Sequence, residues 1–247
     1  MKNKSPLLIA LIMLIFFVIS FLTNILGPLI PDIIKSFKLG IGLAGFLPFS
    51  FFVAYGFMSV PAGILIEKYS EKTVMIAAFM LAFIGALTFA LLPGFAVALI
   101  SLFLIGIGMA MLQVVINPLL RQSGGEEHFA FYSVLAQLVF GLASFLSPQL
   151  YSYLVLNLHK NDNSFIVRIL NPIVPVNLEW ASLYWVFAVV VLFIIVVIWI
   201  TRFPKVELKA DEKMETGVVL LQLLKNRQVL LFFIGIFCYV GTEQGIA

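Results

Sequence analysis

Residues 63–73 read GILIEKYSEKT, a short charged interruption between two apolar runs, 41–66 and 73–93. Glu67, Lys68, Glu71 and Lys72 do not belong in hydrocarbon, yet the run on either side is long enough to cross it at about 20 residues per span. Two spans joined so closely make a helical hairpin whose connection lies on one side of a bilayer. On these residues alone, an ordinary solvated loop is the favoured reading.

The chain around this hairpin has the same character. It is 62% hydrophobic, 11% charged and carries 25 Phe in 247 residues, against about a quarter charged in ordinary soluble chains. Further spanning runs fall at 7–30, 95–120, 129–156 and 183–201, and a seventh opens near 229. The first is expected to be a retained helix rather than a signal peptide. Its 24 residues exceed a signal core, and Pro28 and Pro31 follow where a small-residue cleavage site would stand. The net charge of +3 comes with no basic cluster, so no nucleic-acid partner is expected. Cys238 is the single cysteine, which excludes a disulfide framework and a cysteine-based metal site.

Lysine and arginine set the orientation. With the N-terminus in the cytoplasm, only Lys35, Lys38, Lys160 and Arg168 of the 15 basic residues face outward, a positive-inside bias. The outer loop 157–182 contains Trp180, expected to anchor at the interface, and the inner loop 204–228 reads as a mixed-charge linker. The expected organisation is a six-helix bundle over 1–203, a cytoplasmic linker over 204–228 and the start of a further helix over 229–247.

Two echoes point to an internal repeat. ILGPLI (25–30) resembles VINPLL (115–120), and SFFVAYGFMSVP (50–61) resembles QLVFGLASFLSP (137–148), at offsets of 90 and 87. A repeat of three spans inverts its second copy, because an odd number of crossings changes sides, and such repeats build alternating-access transporters.

Polar residues inside the spans give the candidate site. Gln113 and Asn117 stand four apart and share a helix face, with Arg121 one turn further. The first run offers Ser20, Thr23, Asn24 and Gly27, and the fifth offers Gln137, Gly141 and Ser144. Amides that both donate and accept suit a sugar or polyol, whose apolar ring face can rest on an aromatic such as Tyr55. The competing reading is that these groups join helices, as Asn, Gln, Ser and Thr do in membranes. For Asn117 a third role is to satisfy a carbonyl freed by Pro118. Among the acids, only Glu243 falls inside an apolar run, the others lying in loops or at helix ends.

The loop at 63–73 resembles the cytoplasmic signature of the major facilitator superfamily, G-x-x-x-D-[RK]-x-G-x-[KR]. Gly63, Glu67, Lys68 and Lys72 match, with Glu for the usual Asp and Ser70 for the second Gly. The resemblance implies a cytoplasmic gate of Glu67, Lys68 and Lys72, to which Arg121 at the inner end of the fourth run is added. PAGILIEKYS, INPLLRQSGGEEHFAFYSVLAQ and FCYVGTEQGIA together resemble the fucose permease type of sugar:cation symporter. That resemblance implies an all-α membrane fold of which this chain is the N-terminal half, built as a three-plus-three repeat, ending inside helix 7. It assigns Asn24, Asn117 and the Ala136-Gln137 pair to substrate binding. It also marks two departures: Gly27 and Gln113 stand where that type carries carboxylates. Glu243 is therefore the expected ion-coupling residue, for a proton or sodium, and no other cofactor is expected.

The expected function is cation-coupled sugar or polyol transport across the cell (inner) membrane. The runner-up is a drug or metabolite exporter of the same fold, or an uncoupled facilitator. A seven-helix receptor or photoreceptor fits the helix count but lacks a lysine in the seventh run to hold a retinal. An intramembrane enzyme lacks any His/Asp/Glu cluster or Ser/His pair in the spans.

Overall fold

The computed structural model describes residues 6–160, 164–201, 203 and 225–246, and within these the side chains of Glu67, Val240, Gly241 and 243–246 are not described. Most of the expected linker 204–228 thus lies outside the described residues. Residues Met1–Val206 form one unit and Glu207–Ala247 another.

Among the described residues every regular element is helical. The first apolar run is a broken helix, α1 (Pro6–Asn24) followed by α2 (Leu26–Phe37). Pro28 and Pro31 have no N–H to offer the carbonyls of Asn24 and Gly27, four residues back, so the ladder lapses at Ile25 without ending the span. A short α3 (Ile41–Ala44) leads into α4 (Phe46–Lys68), and α5 (Glu71–Leu91) follows the charged hairpin. Ser70, at the departure from the glycine of the signature, caps α5 by accepting the Thr73 N–H at 3.3 Å. Then come α6 (Phe95–Gly124), α7 (Phe129–Asn157), a short α8 (Phe165–Leu170) and α9 (Ser182–Ile200). Among the described residues, six segments are long and apolar enough to cross a membrane. In the second unit α10 (Arg227–Ile246) is a single helix whose described side chains are largely exposed.

The helix of the first span runs on past residue 30 to Phe37, and Asp32 lies in its last two turns, at a helix end.

Helix pairing follows the repeat. The first span packs on α7 as α6 packs on α4, the relation expected when spans one to three are exchanged with four to six. Glycines let α6 approach its partners closely. A Cβ built on Gly106 would sit 2.4 Å from the Phe51 carbonyl oxygen, and one on Gly108 would sit 2.5 Å from that of Ala78. Small residues at such crossings are how membrane helices gain packing energy where no hydrophobic drive exists. The symmetry lapses at one place. Where α5 lies tight on α6, the corresponding pair, α9 and α1, faces across an apolar cavity of about 530 Å³ lined by Phe17, Phe21, Leu150, Phe187 and Val190. The edge-to-face pair Phe21–Phe187, 5.7 Å between centroids, bridges it.

The spans are unequally covered. Just 22% of the apolar window of the second span and 11% of the fifth are buried, against 56% in the first and fourth. α4 and α7 therefore leave broad faces open.

Candidate functional site

The first span and α7 run side by side in one direction, with their register fixed at two points. Ser20 Oγ donates to the Phe140 carbonyl oxygen at 2.6 Å, and the Tyr151 hydroxyl donates to Asp32 Oδ2. On this register Asn24 is level with Ser144, while Gln137 lies seven residues earlier, about 10 Å away along the axis. Between α4 and α6 the Phe51–Gly106 contact places Gln113 level with Met58, one turn past Tyr55.

Asn24, at the end of α1, is half-buried and donates to the Ser20 carbonyl at 2.9 Å and to Ser20 Oγ at 3.2 Å. Asn117 is exposed on α6, and its amide donates to the Gln113 carbonyl at 3.4 Å. The carbonyl that Pro118 frees is that of Val114, so Asn117 does not fill the gap. Gln113 is half-buried and Gln137 exposed, and neither side-chain amide bonds a described residue. Tyr55 is half-buried with its ring against Phe51, 6.1 Å between centroids. The apolar cavity between α1, α7 and α9 includes none of these residues.

Among the described residues, none of the four amides bonds another helix. Cross-helix bonds run instead from Ser20 to α7, Ser50 to the Leu99 carbonyl (2.7 Å), Tyr151 to Asp32, Trp180 to Ser36 (2.9 Å) and Lys72 to the end of α9, among others. The amides are left to each helix's own backbone or to a ligand.

At the opposite end from Asp32, the gate candidates separate. Lys72 donates to the carbonyls of Trp199 at 2.6 Å and Thr201 at 2.9 Å. Lys68 is exposed with its ammonium 5.6 Å from the Tyr69 ring centroid. Arg121 is half-buried in the last turn of α6. The side chain of Glu67, in the last turn of α4, lies outside the described residues, as does that of Glu243 in α10. Trp180 is corrected: it is 2% exposed, its indole N–H on Ser36 and its ring edge-on to Phe37. An aromatic at a span end resembles an interfacial anchor until a neighbouring segment folds over it. Sequence reasoning also missed Tyr151, which is 5% exposed. A hydroxyl one helical turn past Pro148 was its only signal.

A family model, that of the Major Facilitator Superfamily, matches residues 12–246. The chain belongs to this superfamily. It is therefore a multi-pass membrane protein of a transporter family, not an enzyme. Among superfamily members, the chain is 25% identical to the L-fucose-proton symporter of Escherichia coli (strain K12), over 95% of this chain and 56% of that protein. It is 28% identical to a glucose/galactose transporter of Brucella abortus (strain 2308), over 94% of this chain and 55% of that one. The chain spans about half the length of the curated relatives it matches. A crystal structure of the E. coli fucose:proton symporter superposes with a TM-score of 0.70 at 23% identity, covering 98% of this chain and 61% of that one. A bacterial homologue of the human lysosomal transporter Spinster, inward-facing and unoccupied, gives 0.64 at 14% identity, covering 90% and 48%. These superpositions establish the fold of the superfamily's N-terminal six-helix bundle.

Proposed function

We propose that the protein is a secondary active transporter of a sugar or related polyol, working by alternating access with cation coupling. The observation that carries this reading is the state of the amides. Asn24, Gln113, Asn117 and Gln137 lie inside apolar spans, none is fully buried, and none joins one helix to another. Polar groups at membrane depth are costly and are retained where they serve a site. Tyr55 supplies an aromatic surface one turn from the level of Gln113. The names of the relatives, a fucose symporter and glucose/galactose transporters, agree with a sugar.

The N-terminus is placed in the cytoplasm of the cell membrane, which puts Glu67, Lys68, Lys72 and Arg121 at the inner side as gate residues. Glu243 is the proposed ion-coupling carboxylate, since Gly27 and Gln113 carry no charge. The substrate cavity is completed by a second six-helix bundle.

Uptake by the full-length protein in proteoliposomes, with and without proton or sodium gradients, tests this. Gradient-driven accumulation of a hexose or deoxyhexose is expected, and Glu243→Gln abolishes accumulation while sparing substrate exchange. Wild-type accumulation by that variant removes Glu243 from coupling, and equilibration without concentration marks a facilitator. Transport of apolar cations with no sugar uptake would overturn the reading in favour of an exporter.

A further inference from the structure

The apolar cavity between α1, α7 and α9 has no part in the proposed function, and the repeat shows how it arises. At the offset of 90, Gly108 of α6 corresponds to Val18 of α1. Gly108 lets α6 lie so close to α5 that a Cβ there would stand 2.5 Å from the Ala78 carbonyl oxygen. Val18 has a branched side chain in that place, and it lines the cavity. Ten of the twelve lining residues are Phe, Leu or Val, so water finds too few partners to settle there. A void of about 530 Å³ left empty would strip its walls of dispersion contacts. Hydrocarbon is the filling that suits it.

Shape and bearing say where that hydrocarbon comes from. The ties of Ser20 to Phe140 and Tyr151 to Asp32 put Phe17 level with about residue 137 of α7. From that level to Tyr153, the far lining residue, is about 16 residues, or roughly 24 Å along the helices. Spread over that length, the volume gives a bore about 5 Å across. That admits one hydrocarbon chain and not two, since packed carbons stand about 4 Å apart. At about 100° per residue, the lining residues of α1 centre some 140° round the helix from Ser20, Thr23, Asn24 and Gly27. Those of α7 centre some 160° from Gln137, Gly141 and Ser144. Polar groups in a membrane protein face its interior, so the cavity lies on the opposite, lipid side. Leu146, Gln149 and Tyr153 on α7 and Val190 on α9 line it and are also exposed, which places its mouth between these two helices.

We propose that this cavity binds one acyl chain of a membrane lipid, entered between α7 and α9 from the leaflet at the Asp32 end. The chain runs inward past Leu150 and Phe187 to Phe17. The two polar lining residues, Gln149 and Tyr153, both stand on the part of α7 level with α2, at the end where the lipid's ester group lies. The Gln149 amide bonds no described residue and donates to that ester. No charged side chain lines the cavity, so the site reads the chain and not the headgroup. It stands on the bearing of the polar stripes, whatever substrate they bind.

A phosphatidylcholine with a diazirine at the end of one acyl chain tests this, in phosphatidylcholine vesicles holding the full-length protein. Val18, Leu22 and Val191 line the cavity and are at most 5% exposed, so lipid lying around the bundle does not reach them. After irradiation, adducts mapped by peptide mass spectrometry are expected on these three, and also on Val189 and Phe193, which are exposed on α9 outside the cavity. Leu150→Trp and Val190→Phe fill the cavity from two sides. Either variant, with its melting temperature unchanged, is expected to cut the inner adducts about tenfold, the loss of some two buried methylenes. Val189 and Phe193 should be labelled as before. Wild-type adducts confined to Val189 and Phe193 overturn the site without any variant. Inner adducts that both fillings leave intact overturn it too. So do inner adducts displaced by a transported substrate, which would make the cavity part of the transport route. Inner labelling in protein that moves no sugar sinks the sugar reading and leaves the lipid site standing.

Discussion

The Lys72 ammonium lies 2.6 Å from the carbonyl oxygen of Trp199, tying the start of the third span to the end of the sixth. The last carbonyls of a helix have no intrahelical donor, and a cation there answers both their lone pairs and the negative end of the helix dipole. Lys72→Met should therefore lower stability by about 1 kcal/mol, read as a fall in melting temperature of purified protein. Lys72→Arg should recover most of it. A gate role alone would instead change inner-side accessibility with melting unaltered.

The amides should separate by their surroundings. Asn117→Ala and Gln137→Ala remove exposed groups and should leave expression and melting unchanged. Each should raise the half-saturation for substrate through the loss of about 0.5–1.5 kcal/mol of binding. Asn24→Ala should show the same shift in affinity. Normal uptake in all of these and in Gln113→Ala removes the stripe from the site.

Gly106 and Gly141 make a matched pair. A Cβ at Gly106 collides with the Phe51 backbone, whereas one at Gly141 meets nothing within 4 Å. Gly106→Ala should cost about 1–3 kcal/mol by forcing α4 and α6 apart, and Gly141→Ala should be neutral. Detergent unfolding of the two variants side by side decides it, and equal stability would refute the close crossing.

Ser20 supports Asn24 from behind. Ser20→Ala loses the bond to Phe140 and one of the two acceptors of the Asn24 amide. Stability should fall by about 1 kcal/mol, with a rise in half-saturation that Asn24→Ala does not increase further. Additive effects in the double variant would show that the two residues act separately.

The spans were legible because each is a long apolar run between charges, and the structure keeps those limits within a few residues except at the first. There the apolar run gives out near residue 30, but the helix runs on through Pro28 and Pro31 to Phe37, since a membrane helix tolerates proline where freed carbonyls find other partners. The i,i+4 spacing of Gln113 and Asn117 gave their shared face. It could not give the axial offset between Asn24 and Gln137, because that depends on Ser20 meeting Phe140 across helices. The open faces of α4 and α7 were likewise invisible. Lipid and neighbouring helix are both apolar, so neither leaves a periodic mark in the sequence.

The bond from Ser20 to Phe140 joins residues 120 positions apart, and that separation is also an interval of time. A ribosome adding about 5–20 residues per second needs roughly 6–24 s to make Phe140 after Ser20. For that period the first span waits in the bilayer without its lasting neighbour. α4, α5 and α6, which follow one another in the chain, meet through their glycines sooner. The bundle is thus assembled from its middle, and its first-made helix is among the last to find its place.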